Sequence, residues 1–266
     1  MRIILGIANQ KGGVGKTSLA LNLGVSLARM GYRVLTVDAD AQANLTMALG
    51  CQQPDELPIT LPHIMNEIIN NGFKPEQSEL IRNREYILHS QGIDFIPSNI
   101  ELAGIENLLI NTMSRENVLK KFINYIKDDY DWILCDTMPS LNFVTINVLN
   151  AANKIIIPTQ PEFFSAKGLE LLLSTIKKIK ETLNPNLEIE GVLVTMYDNR
   201  LNFHREVVNI ITDAYSKYFR IFDTKIPKSI KVTETQARSV SIFEHDPNGR
   251  IAESYLKFAK ELIAHG

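Results

Sequence analysis

Ile3-Ile4-Leu5-Gly6-Ile7-Ala8-Asn9-Gln10-Lys11-Gly12-Gly13-Val14-Gly15-Lys16-Thr17-Ser18 sets an apolar run against a glycine-rich loop, and a helical pattern follows to about Met30. Ile3 to Ala8 reads as a buried strand, and Gly31 is a natural stop for the helix. Strand, glycine-rich loop and helix in that order form a phosphate-binding loop. The glycines leave backbone N–H groups free to point at phosphate oxygens, and the helix start adds the positive end of its dipole. Lys16 is placed to reach the β- and γ-phosphates of a triphosphate, and the Thr17 hydroxyl to sit on Mg²⁺. The usual pattern, G-x-x-x-x-G-K-[ST], asks for glycine at position 10. This chain has Gln10 there, and a second lysine, Lys11, beside it.

Working outward, short β-branched runs alternate with helical patterns to the end of the chain. Strands are expected over 33–38, 93–96, 132–136, 154–157 and 189–195, and helices near 63–70 and over 115–127, 166–183, 202–219 and 249–264. The stretch 51–85, with prolines at 54, 58, 62 and 75, reads as loop-rich. Repeated β-then-α units imply an α/β fold: a mostly parallel, twisted sheet with helices on both faces. No Pro/Ser/Gly linker divides the 266 residues, so 1–266 reads as one domain. Phosphoryl transfer needs carboxylates near the metal and the attacking water, and parallel sheets supply them at strand C-terminal ends. The second strand ends in Asp38-Ala39-Asp40, and Trp132-Ile133-Leu134-Cys135-Asp136 has the Walker-B form, an apolar strand closed by aspartate.

Composition narrows the classes. With 45% apolar and 22% charged residues and a net charge of −2, the chain is neither disordered nor basic enough to coat nucleic acid by bulk charge. Cys51 and Cys135 are too few for a disulfide framework or a zinc site. His63, His89, His204, His245 and His265 lack metal-ligand spacing and carry no catalytic role in this reading. No run approaches the ~20 apolar residues that span a bilayer, and a cytoplasmic setting is expected.

The ordered motifs resemble the ParA/Soj family of partition ATPases, within the deviant-Walker P-loop class that includes MinD. They are I-A-N-Q-K-G-G-V-G-K-T (7–17), D-A-D-A-Q-A-N (38–44), I-P-S-N-I-E-L-A-G-I-E (96–106), Y-D-W-I-L-C-D-T-M-P-S-L (130–141), I-I-I-P-T-Q-P-E-F-F-S-A-K-G-L (155–169), G-V-L-V-T-M-Y-D-N-R (191–200) and I-P-K-S-I-K-V-T-E-T (226–235). The resemblance implies ATP and Mg²⁺ as cofactors and an ATP-bound homodimer with two nucleotides at the interface. Lys11 matches the signature lysine that reaches the partner's phosphates, Lys16 and Thr17 the phosphate and metal positions, Asp40 the switch I aspartate that positions water, and Asp136 the Walker-B aspartate. The ATP site so implied comprises Lys11, Gly12, Gly13, Val14, Gly15, Lys16, Thr17 and Ser18, with Met196 and Pro227 near the adenine; Thr17, Asp40 and Asp136 serve the metal, and Asp38 is structural or supports the metal site from behind its ligands. Ala41 and Ala43 replace the family's proline and glycine, and Met138 replaces its first D-x-P-P proline.

Between Arg200 and Arg238 eight basic residues face four acidic ones. The family holds DNA without sequence preference through basic residues in this region, and Lys228, Lys231 and Arg238 lie in the matching stretch. The first strand begins at residue 3, so no helix-turn-helix precedes the loop and operator binding is not expected. The implied partners are duplex DNA on the nucleoid and a ParB-like centromere-binding protein. Alternatives stay open: an ATPase placing another cargo on the nucleoid, a metabolic ligase or kinase of this fold, and a MinD-like ATPase anchored through the stripe Ile251, Tyr255, Phe258, Ala259, Leu262 and Ile263. That stripe reads as core, and no membrane partner is expected. A nitrogenase-type cluster lacks its cysteines.

Overall fold

The computed structural model describes residues 2–162 and 165–264. Phe163 and Phe164, inside the 161–169 segment, lie outside the described residues, as does His265. The strands are β1 Ile3–Ile7, β2 Val34–Ala39, β3 Leu88–Ser90, β4 Ile93–Ile96, β5 Trp132–Thr137, β6 Lys154–Thr159 and β7 Glu188–Val194. They form one sheet in the order β3-β4-β2-β5-β1-β6-β7, parallel throughout except for the β3–β4 pair. Every residue of β1, β2, β5 and β6 is buried, which is why they read as largely apolar runs.

The helices are α1 Lys16–Arg29, α2 Asn44–Ala48, α3 Leu61–Asn71, α4 Glu79–Asn83, α5 Leu102–Ile110, α6 Val118–Ile126, α7 Phe143–Ala151, α8 Ser165–Thr182, α9 Asn202–Tyr215, α10 Ile230–Arg238, α11 Ile242–His245 and α12 Arg250–Ile263. Side chains alternate across β1: Ile4 joins α3, α5, α6, α7 and α8 in one core, while Ile3, Leu5 and Ile7 join α1, α11 and α12 in the other. The helix expected over 115–127 is interrupted, with 3₁₀ turns at Arg115–Asn117 and Lys127–Asp129 flanking α6. The helix expected to 219 stops at Tyr215.

β1 is where the chain divides. It leads through α1 to β2 on one side, past β5, while β6 flanks its other edge. The loops after β1, β2 and β5 all leave the C-terminal edge here, the place where parallel sheets bind ligands. Register brings Asp38 of β2 directly beside Asp136 of β5.

The C-terminal apolar stripe is core. Ile251, Tyr255, Phe258, Ala259 and Leu262 are at most 4% exposed, in the layer they share with α1. Detaching α12 as a membrane anchor would forfeit about 1.5–3 kcal/mol for each large apolar side chain, in sum comparable with a domain's whole stability of ~5–15 kcal/mol. Among the described residues no helix is long and apolar enough to cross a membrane.

Candidate functional site

The loop after β1 is built to present backbone N–H groups. Gly13 and Gly15 hold φ of +73° and +85°, and no atom lies within 4 Å of where a Cβ would stand. Side chains are excluded here by the left-handed backbone, not by crowding. Val14 is the buried anchor between them, its carbonyl accepting a 2.8 Å hydrogen bond from Thr195 Oγ1. Gln160 Nε2 donates to the Gly13 carbonyl at 2.8 Å, and the Asn9 side chain donates to Pro158 O at 2.7 Å while accepting from Lys11 N at 3.0 Å. The ends of β6 and β7 therefore fix the loop before any ligand arrives. The first turn of α1 carries no acidic residue to compete for its open N–H groups.

Lys16 folds back over the loop, its Nζ 3.1 Å from Asn9 O and 3.3 Å from Lys11 O. Burial lowers its pKa, against the upward pull of Asp136 and then Asp40. The loop forms one wall of a cleft of about 580 Å³, lined also by Asp40, Gln42, Asn44, Met47, Ala48, Gln52, Thr137, Pro139, Met196, Gln236 and Ser239.

The three strand-end aspartates have different surroundings. Asp38 is fully buried and accepts from Thr46 Oγ1 at 2.7 Å, Thr46 N at 2.8 Å and Asp40 N at 3.2 Å. It ties β2 to α2, and burial still raises its pKa to about 6. Asp40 reaches the cleft, with Oδ1 accepting from Gln42 N at 2.9 Å. Asp136 lies beneath the cleft floor, 1% exposed, with neither carboxylate oxygen making a well-formed hydrogen bond. Burial, and then the adjacent Asp38, push its pKa to about 8; the nearby Thr17 hydroxyl and Lys16 charge only partly oppose this.

That orphaned carboxylate is the observation that tests whether Mg²⁺ fits. Among the described residues no group of three or more His, Cys, Asp or Glu side chains could hold a metal by itself. Mg²⁺ rarely uses such a cage; it keeps waters and shares one or two carboxylates with substrate phosphates. Asp136, with two unspent oxygens beside Thr17, suits that role.

The structure brings Gly12, Gly13, Gly15, Lys16, Thr17, Asp40 and Met196 of the expected site to the cleft. Lys11, Val14, Ser18 and Pro227 do not line it. Pro227 is the bridge partner of Tyr197, next to Met196. Lys11, outside the cleft lining, pairs with Glu162. Gln42 and Asn44 belong to the 38–44 motif and could have been drawn from it. Gln52, Gln236 and Ser239 line the cleft without any local signal in the sequence.

The first 189 residues match the family model described as an AAA domain. Over 265 residues the chain is 38% identical to the sporulation initiation inhibitor protein Soj of Bacillus subtilis, with 99% of each chain covered. It is 35% identical to the chromosome partitioning protein ParA of Caulobacter vibrioides, covering 98% of this chain and 94% of that one. The chain belongs to the ParA/Soj family of partition ATPases. A solved relative, cobyrinic acid a,c-diamide synthase from Mycobacterium smegmatis with bound ATP analogue and magnesium, is 31% identical with a TM-score of 0.83, covering 100% of this chain and 96% of that one. The partition-family departures at 41–43 have a structural counterpart. Ala43 holds φ of +51° at the start of α2, a left-handed position where the family's glycine is free of Cβ strain.

The basic region is less positive in space than in sequence. Arg200 pairs with Asp198 at 2.7 Å, Arg220 with Glu261 at 3.4 Å and Lys231 with Asp246 at 2.5 Å, all three acids lying outside the 200–238 window. Lys228 and Arg238 are exposed. Lys231 and Arg238 stand seven residues apart on α10, two turns along one face.

Proposed function

We propose that this protein is a Mg²⁺-dependent DNA-segregation ATPase acting as one ATPase unit over 1–266. In this reading it closes into an ATP-bound homodimer, holds duplex DNA without sequence preference in that state, and releases it when a ParB-like protein stimulates hydrolysis. The observation that carries the reading is Lys11: it opens the glycine-rich loop yet does not line its own cleft, and its ammonium pairs with Glu162. A cation so placed serves a phosphate group brought by a second copy, in the manner of an arginine finger supplied in trans.

The remaining roles follow from position. Backbone N–H groups of 12–17 and the Lys16 ammonium hold the phosphates. Thr17 and Asp136 face the metal shell, and Asp40 orients the attacking water. Bound Mg²⁺ neutralises charge developing on the phosphoryl oxygens. Lys228, Lys231 and Arg238 contribute DNA contacts, doubled in the dimer. A few phosphate contacts give a Kd of about 10⁻⁴–10⁻⁶ M, and doubling the patch adds avidity of up to ~10²–10⁴, which makes the dimer the binding species. Such a protein is cytoplasmic and nucleoid-associated.

Complementation tests the trans arrangement. Asp40→Ala should bind ATP and dimerise with little turnover, and Lys11→Ala should also be nearly inactive. Mixed together, the two dead variants should regain a fraction of wild-type ATPase, because the heterodimer has one site with its own Asp40 and its partner's Lys11. A mixture as inactive as its parts would reject the reading. DNA binding gives a second check: retention on duplex DNA should require ATP, weaken steeply as salt rises, and drop in Lys228→Ala and Arg238→Ala. Equal retention with and without ATP would count against it.

The likeness to a cobyrinic acid a,c-diamide synthase favours a second reading, a small-molecule ligase of the same fold. It requires ATP consumption that depends on an added acceptor rather than on DNA.

A further inference from the structure

Three residues of the cleft wall come from far along the chain: Gln52 from the loop after α2, Gln236 from α10, and Ser239 just after α10. α10 buries only Thr235 of its nine residues, and it packs on α2. Contacts fix its end there. Gln52 Nε2 donates to Ser239 Oγ, and Gln91 bridges the same junction, donating to Ala48 O at 3.3 Å and accepting from Ser241 N at 2.5 Å. Ser239 itself is held at φ of +54°, a conformation that costs a non-glycine residue about 1 kcal/mol or more.

The chemistry of this wall differs from the phosphate side. Lys16 and the open N–H groups of α1 supply the positive field for phosphates, whereas Gln52, Gln236 and Ser239 offer two amides and a hydroxyl, with no charge. Gln236 also lines a small crevice together with Thr17 and Ser18 of the first turn of α1. Gln236 thus shares the cleft with the phosphate-binding loop and stands beside the first turn of α1, within reach of the part of a nucleotide that follows its phosphates. Each ribose hydroxyl donates and accepts, and amide and hydroxyl side chains can answer both functions.

The geometry points to a ribose-reading wall, in which Gln236 and Ser239, with Gln52 behind them, recognise the 2′- and 3′-hydroxyls of bound ATP. This rests on the ATP-binding reading above and extends it. α10, which carries Lys231 and Arg238, thereby becomes part of the nucleotide site through its C-terminal end.

The test is calorimetric titration of the full chain with Mg²⁺ and either ATP or 2′,3′-dideoxy-ATP. The wild type should bind the dideoxy nucleotide about 10–100-fold more weakly, the worth of two hydrogen bonds. Gln236→Ala should bind ATP about 5–10-fold more weakly while its affinity for dideoxy-ATP stays unchanged. Ser239→Gly, which suits the left-handed backbone and so keeps the fold, should show the same pattern. Equal wild-type affinity for the two nucleotides would overturn the proposal while leaving the ATPase reading intact. So would a Gln236→Ala loss shared equally by both, which marks a packing effect. If the wild type bound neither nucleotide, the ATPase reading would fall and this inference with it.

Discussion

Lys16→Ala should weaken ATP binding by roughly 10²–10³-fold, the consequence of losing about 3–4 kcal/mol. Lys16 is only 7% exposed, and its two hydrogen-bond partners are backbone carbonyls, Asn9 O and Lys11 O. Burial lowers its pKa while Asp136 and Asp40 favour the charged form. Charge-assisted hydrogen bonds to phosphate oxygens contribute about 1.5–3 kcal/mol each. Removing the ammonium also leaves Mg²⁺ as the one cation between the triphosphate and Asp40 and Asp136, so added repulsion joins the lost attraction. Lys16→Arg should not restore binding, because a planar guanidinium does not fit a space shaped for a compact point charge. Titration of the folded variants with ATP and Mg²⁺ decides the matter. A loss below about tenfold would mean that the loop backbone alone holds the phosphates.

What could be read from the sequence, and what could not, follows from how each segment is buried. β1, β2, β5 and β6 are covered on both faces, so each appears as a largely apolar run, with β2 broken only by Thr36 before Asp38. α7 was missed for the same physical reason in a helix. Val144, Thr145, Asn147, Val148, Leu149, Asn150 and Ala151 are all buried, which leaves no polar face and hence no 3.6-residue period. α10 lacks a clear apolar stripe for the opposite reason: Thr235 is its one buried residue, and Ile230 stands exposed. The phosphate loop was legible because its chemistry is local: glycine, lysine and threonine act within a few residues of one another. The Gln52–Ser239 wall was not, because its parts meet only once α10 packs on α2. Charge was misleading in the same way. The excess between Arg200 and Arg238 is a property of the window, and Asp198, Asp246 and Glu261 reach in from outside it.

Asp136→Asn should make the nucleotide-free protein more stable while abolishing hydrolysis. The carboxyl is buried beside Asp38 with no well-formed hydrogen bond, and its pKa stands at about 8 against an ordinary 3.8. A carboxyl whose folded-state pKa is raised binds its proton more tightly folded than unfolded. Its penalty is therefore absent below about pH 4, grows as pH rises, and levels off above about pH 8. Asp38, raised to about 6, adds a shallower loss over the lower part of that window. Between pH 6 and 8 the decline belongs mainly to Asp136. Asparagine keeps the shape and cannot ionise, so near pH 8 the variant should gain roughly 3 kcal/mol, about 6–12 °C in Tm for a chain of this size. The advantage should shrink as pH falls toward 4. ATPase activity should fall at least ~10²-fold, as when a group aimed at the transition-state charge is removed. Thermal melts of both proteins across pH 4–8 without nucleotide, paired with turnover assays, separate the two effects. If the melting curves stayed parallel across that range, Asp136 would be ionised already in the empty site, and the carboxylate would not be the strained group that the bound metal relieves.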